Sequence, residues 1–406
     1  MGSKWFNVVA VGVMAVFVLS GCDPFKDDNN NNNNNDNKDD NNQEVFSGIR
    51  PYQRVAIIPG TQDDIPSIAL KISDYVVYTD EVKKLGFPSN WAIAGANPKE
   101  GETYDRDDDL IPIPVNTGDG VYKSRVIEFC NGFYARKALA SGQHYGSALP
   151  CEVSVHSDGK NVYVDMLDSK AIFTLFFPDA TNQESLQTMG ESINAEIRTI
   201  IFSALVGDSV SKSTEKLGPK FTQSELDSIQ DGSIYQVSKY QSTIGSTFSD
   251  ADARILSETI IANLGNKVAT ADTNVPNLSE GSSWRSARPA PIAVTNIFVT
   301  EACSPTYAEM ATKLGAEYIT ALPCEATVYL DDADSSGKTI SISILNPHFM
   351  FETMFKGAVA KALKDKKITK DEAKEYETLA STVLNDLNRI VDASIVDSGL
   401  SLKKVN

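Results

Sequence analysis

The sequence predicts an α+β protein: two repeated small sheet-plus-helix units packed as an intramolecular pseudo-dimer, on a disordered N-terminal tether. Three observations carry this. First, four of the five cysteines form two pairs with the same 21-residue spacing, Cys130 with Cys151 and Cys303 with Cys324. Second, residues 130–156 align without a gap on 303–329, with 12 of 27 positions identical, which marks a duplication. Third, alternating apolar runs around each pair read as strands, and longer runs at helical period follow. A chain of 406 residues also exceeds the usual single domain.

Each unit reads in the order strand, short helix, strand, hairpin, strand. The strand-like runs Val121 to Phe129 and Ile292 to Val299 precede the first cysteine of each pair. Ser304 is a good helix N-cap, Pro305 suits the first helical position and Gly315 suits the stop. Asp158-Gly159-Lys160 marks one hairpin turn, and a turn five residues longer ends in Gly337-Lys338. Helices are expected over Gln183 to Leu205, Met354 to Lys364 and Lys370 to Val396, the last opened by a capping box from Thr369 to Glu372. Ser249 is expected to cap a helix from Asp250 to Leu264, whose counterpart in the first unit falls between 63 and 85 without clear ends.

The fifth cysteine is Cys22. An apolar run of twelve residues, Val8 to Leu19, precedes it, too short to span a bilayer and suited to a signal peptide. Leu19-Ser20-Gly21-Cys22 resembles the lipobox of bacterial lipoproteins, so Cys22 is the expected lipid attachment site, with 1–21 removed. Asp23 resembles an inner-membrane retention signal. The expected location is therefore the bacterial cell envelope, lipid-anchored and periplasm-facing, more at the inner than the outer membrane. Residues 23–44 hold ten asparagines and six aspartates in 22 positions, a composition with almost nothing to bury. With Cys22 they form the expected tether, followed by a first unit over 45–207 (core 121–178) and a second over 208–406 (core 291–356).

The net charge of −17 leaves −13 on residues 45–406 once the leader and the tether are set aside. That excludes simple electrostatic nucleic-acid binding. The expected partners are the membrane, through the lipid, and a periplasmic protein or small ligand.

The four paired cysteines are candidate disulfide or thiol sites. Bonds within each repeat would close loops of about 20 residues and stabilise by about 3 kcal/mol. Alternatively, Cys130 and Cys303 sit just before helix N-termini, where thiolates are favoured, and would suit sulfur, redox, soft-metal or haem chemistry. Buried inert thiols are the third option. Tyr134, Tyr307 and His348 are candidate ligand-binding residues. His348 with Met350 and Met354 would make soft ligands, against a plainer reading as a turn histidine beside core methionines. The Ser335–Thr339 and Asp332–Gly337 stretches mimic phosphate and calcium loops but lack the required residues, and Asp105 to Asp109 reads as a solvated loop. No serine-hydrolase, zinc-protease or dinucleotide motif occurs. Catalytic residues, metals and cofactors therefore receive no assignment.

A cysteine before a Tyr-Ala helix, then Leu-Pro-Cys, a hairpin and Leu345-Asn346-Pro347 resembles the family called "domain of unknown function 302". The resemblance covers 121–178 and, more fully, 291–356. It implies small α+β domains that pair, and it implies no activity. The function expected is a non-enzymatic binding or accessory module, with a thiol-based relay or soft-metal or haem binding as the alternative.

Overall fold

The structure, a computed structural model, describes residues 48–77, 79–88, 91–93, 113–116, 121–149, 152–264, 275, 278–279, 284–286, 290–321 and 324–405. Cys22, the leader and the tether lie outside them.

Two antiparallel sheets organise the described residues. The first contains β1 (Tyr52–Pro59), β2 (Ala92–Ile93), β3 (Ile113–Asn116), β4 (Val121–Cys130), β5 (Glu152–Ser157), β6 (Asn161–Leu167), β7 (Ser211–Lys212) and β8 (Lys216–Leu217). Its strands run β2-β4-β5-β6-β1-β7, with β3 beside β4 and β8 beside β1. The second contains β9 (Tyr235–Ser242), β10 (Arg285–Ser286), β11 (Ile292–Val294), β12 (Ile297–Cys303), β13 (Cys324–Leu330), β14 (Thr339–Leu345) and β15 (Leu402–Val405). It runs β10-β12-β13-β14-β9-β15, with β11 beside β12. The two main orders correspond, with β8 as the one strand of the first sheet that lacks a counterpart among the described residues, which bears out the two-unit α+β reading. The first sheet takes in residues up to Leu217, so the crossover to the second sheet falls after 217 rather than at 207.

The helices repeat in step. In the first unit α1 (Ile65–Val77), the short α2 (Glu81–Lys84), α3 (Gly132–Leu139), α4 (Ser169–Phe176) and α5 (Gln183–Ala204) cover the sheet. The short α6 (Gln223–Leu226) and α7 (Asp231–Ile234) lead into the second unit. There α8 (Asp250–Leu264), α9 (Pro305–Leu314), α10 (Pro347–Thr353), α11 (Ala358–Lys364) and α12 (Lys370–Asp397) follow. The α1 helix supplies the counterpart of α8 that the sequence left without clear ends. It buries Ile65, Ile68, Ala69, Ile72 and Val76, an i, i+3, i+4, i+7 stripe.

Two expected elements divide. The helix expected from Met354 begins at Ala358, because Gly357 takes a left-handed conformation (φ 71°) that stops α10 from running on. The run Ile292 to Val299 folds back on itself: Thr295 sits at φ 57°, and β11 pairs with β12 as a hairpin.

The units exchange contacts reciprocally. The 3₁₀ segment after α3 (Gln143–Ala148) packs on β12, β13 and β14, and the one after α9 (Ala316–Ala321) packs on β4, β5 and β6. In the same way β3 lies against α9 and β11 against α3. Gln143 Oε1 accepts from the Asp332 N–H at 3.1 Å, tying the longer hairpin of the second unit to the first.

Candidate functional site

Each unit hollows out a cavity between its sheet and its first short helix. The cause is the spacing of small residues. In α9, Tyr307, Ala308 and Ala311 share one face, and Ala308 and Ala311 leave space that a leucine would fill. The same positions in α3 are Tyr134, Ala135 and Ala138. The second-unit cavity measures about 60 Å³ and is closed by Trp284, Ala302, Leu345, Met350, Phe355 and Val383, among others. The first-unit cavity measures about 50 Å³. Its wall includes Phe129 and Phe173 of its own unit, and Ile292 and Val294 of the β11 arm reaching across.

A buried carboxylate stands behind each tyrosine. In the first unit Glu196, on α5, accepts from the Tyr134 hydroxyl and, at 2.7 Å, from Trp91 Nε1. In the second, Asp386 on α12 accepts from Trp284 Nε1 at 2.9 Å and from the Tyr307 hydroxyl at 3.3 Å. Its other oxygen accepts from the Ser279 N–H and hydroxyl, each at 3.0 Å. Asp386 is 1% exposed, so these donors replace the water it has lost. Burial, and then the hydrogen bond to Glu196 and its charge, push the Tyr134 hydroxyl well above its ordinary pKa. Tyr134 is therefore a neutral donor, and both oxygens of Glu196 and of Asp386 already accept hydrogen bonds. The arrangement stiffens a cavity wall; it does not present an acid or a base to an occupant.

Tyr134 and Tyr307 thus occupy equivalent positions in separate cavities. His348 lies elsewhere: its Nε2 is 3.1 Å from Ser381 Oγ at the surface, and its backbone N–H is capped by Asn346 Oδ1. Met350 lines the second-unit cavity and Met354 is buried, so the two methionines serve as core residues beside it. Among the described residues no cluster of three or more histidine, cysteine, aspartate or glutamate side chains is placed to hold a metal ion.

Cys151 and the side chains of Cys130, Cys303 and Cys324 lie outside the described residues. The backbone is informative all the same. Cys324 pairs with Ala302 across β12 and β13, so Cys303 is one residue past the register partner of Cys324. The helix and 3₁₀ segment between the two cysteines return the chain to the neighbouring strand, and do not hold the cysteines at opposite helix ends.

The tryptophans and carboxylates escaped the sequence reading. Trp91 precedes Cys130 by 39 residues, but Trp284 precedes Cys303 by 19, which hides the pair from a gapless alignment. The available signal was an acid inside each apolar stripe: Glu196 beside Ile193, Ile197 and Ile200, and Asp386 beside Val383, Leu387 and Ile390.

Four glutamates complete the setting. Glu128 pairs in register with Glu152, and Glu301 with Glu325. All four line the first-unit cavity, and Glu152 and Glu325 also line a third cavity of about 40 Å³ at the unit boundary.

No curated protein matches this chain. Among solved structures, the crystal structure of an uncharacterized conserved protein DUF302 from Bacillus stearothermophilus aligns with 13% identity, a TM-score of 0.22, and coverage of 37% of this chain and 94% of that one. The family match falls on the first unit, from β3 through most of α5, although the sequence resemblance is fuller in the second. The second unit differs there by its longer hairpin and the inserted α11. Residues 116–201 carry a DUF302 domain, a domain of unknown function.

Proposed function

We propose that this chain is a periplasm-facing lipoprotein, anchored through Cys22, whose body is a non-enzymatic module that binds small apolar molecules. The second unit, on this reading, is a diverged copy of the first. The observation that supports binding is the repeated cavity, built on alanines at matching helix positions and backed in both units by a tryptophan, a tyrosine and a buried carboxylate; the second-unit cavity is apolar, and the first is mainly apolar with four glutamates at its border. Duplication of a packing defect has no advantage for stability, since an empty cavity forfeits contacts. Cavities of 60 and 50 Å³ exceed what one water needs and fall below the roughly 150 Å³ that accommodates benzene, so each suits a few heavy atoms.

The anchoring is tested by fractionation. Cys22→Ser is expected to move the protein from membrane to soluble fractions; unchanged membrane association would contradict it. Binding is tested by titrating the mature protein with xenon, followed by ¹²⁹Xe NMR. Saturable binding is expected, and its absence would contradict the module reading.

A further inference from the structure

The two cavities differ at the residue that precedes their short helix. Asn131 and Ser304 occupy the same place, immediately before α3 and α9, and both side chains line their cavities. Asn131 behaves as an N-cap: its Oδ1 accepts from the Phe133 N–H at 3.1 Å. Ser304 does not cap α9. Its side chain is 4% exposed, and its hydroxyl has no hydrogen-bond partner among the described residues. A buried hydroxyl offers one donor and two acceptor positions, and native structures rarely leave such a group without a partner.

We infer that the second-unit cavity binds a small neutral molecule of about two to four heavy atoms, with an apolar body and one hydroxyl or carbonyl group held by Ser304 Oγ. The inference rests on the reading of the cavities as binding sites. The size follows from the 60 Å³ volume. The neutral class follows from the lining: no charged side chain faces this cavity among the described residues, so an ion would be desolvated without a counter-charge. Asp386, behind Tyr307, disfavours an anion further. The apolar body follows from Ala302, Ala308, Ala311, Leu345 and Phe355. Entry is available where Tyr307, Met350 and Phe351 are only half buried, and methionine rearranges readily. The first-unit cavity lacks this anchor, because Asn131 spends its carbonyl oxygen on the helix.

The test uses the mature full chain and the probes 1-propanol, propane and xenon. The indole N–H resonances of Trp284 and Trp91 report the two cavities separately. We expect 1-propanol to shift the Trp284 resonance and to bind there about fivefold more tightly than propane, the effect of one hydrogen bond. Ser304→Ala is expected to remove that preference while leaving xenon affinity and the unfolding midpoint unchanged, since the hydroxyl caps nothing. Ala311→Val is expected to abolish the Trp284 response to all three probes. Equal affinity for 1-propanol and propane would overturn the inference, as would a Ser304→Ala protein that keeps the preference, or a crystal soaked in 1-propanol with only water at Ser304. Xenon binding would then still uphold the cavities as binding sites. Failure of all three probes at both tryptophans would overturn both readings.

Discussion

Ser147 and Thr327 meet across the boundary between the two units, their hydroxyl oxygens 3.0 Å apart. The counterpart contact joins Ser154 to Thr320, also at 3.0 Å. The repeat offset of 173 residues maps Ser147 onto Thr320 and Ser154 onto Thr327. The two hydrogen bonds are therefore one contact made twice, as a two-fold axis between like units requires. The two units thus meet as the partners of an isologous homodimer do.

The closeness of that interface gives the first prediction. A Cβ on Gly146 would lie 2.7 Å from Thr327 Cγ2 and 2.9 Å from its Oγ1. Gly146→Ala is expected to cost about 1–3 kcal/mol, as overpacking does. Urea unfolding would show it as a lower midpoint, with part of the loss recovered when Thr327→Ala is added. An unchanged midpoint would mean that the units do not pack this closely.

The buried carboxylates give the second. Asp386→Ala leaves the Trp284, Tyr307 and Ser279 donors without their acceptor, and a loss of about 3 kcal/mol is expected. A red shift of tryptophan emission should accompany it, because Trp284 is 1% exposed in the intact protein. Retention of both the midpoint and the emission maximum would count against the carboxylate as the organiser of that wall.

Acid stability gives the third. Asp165 is fully buried, with Arg54 Nε at 2.9 Å and His156 Nε2 at 2.8 Å. Burial alone would raise its pKa; the charges and hydrogen bonds of His156 and Arg54 outweigh it and lower the value below 3.8. A carboxyl held lower in the folded state stabilises fully above its unfolded pKa, about 3.9, and loses that contribution as pH falls through the folded value. Stability is therefore expected to drop below about pH 4, with a shallower pH slope in Asp165→Asn. An equal slope in the two proteins would remove Asp165 from the account. The second unit has Ser343 at the matching sheet position and lacks this liability.

The cysteine backbones give the fourth. Cys303 and Cys324 lie on neighbouring antiparallel strands, one register step apart. Successive strand residues belong to opposite faces of a sheet, so an offset of one does not favour a bond across these strands. We expect mass spectrometry of the protein, digested without reduction after alkylation, to recover both cysteines as alkylated thiols. A peptide linked through Cys303 and Cys324 would contradict this and favour the disulfide.

Much of this architecture was legible in the residues. The capping box at Thr369 and the repeat around Leu-Pro-Cys mark elements that local chemistry specifies, and α8 and α12 fall where they were expected. The strands β1 and β9 were not legible. Each is placed by pairing with β6 or β14 about a hundred residues away, and β9, Tyr-Gln-Val-Ser-Lys-Tyr-Gln-Ser, is too polar to announce itself. Tyr134 and Tyr307 were visible as candidates because they lie inside the gapless repeat. Trp91, Trp284, Glu196 and Asp386 were not, since they reach the site from segments whose spacing differs between the copies.

The central claim is that one cavity has been built twice and binds small apolar molecules. Crystals of the mature protein pressurised with xenon test it most directly. Anomalous peaks are expected at two places related by the pseudo-two-fold axis, one beside Tyr134 and Ala138 and one beside Tyr307 and Ala311. Density at neither place, in crystals that diffract well enough to show xenon, would contradict it.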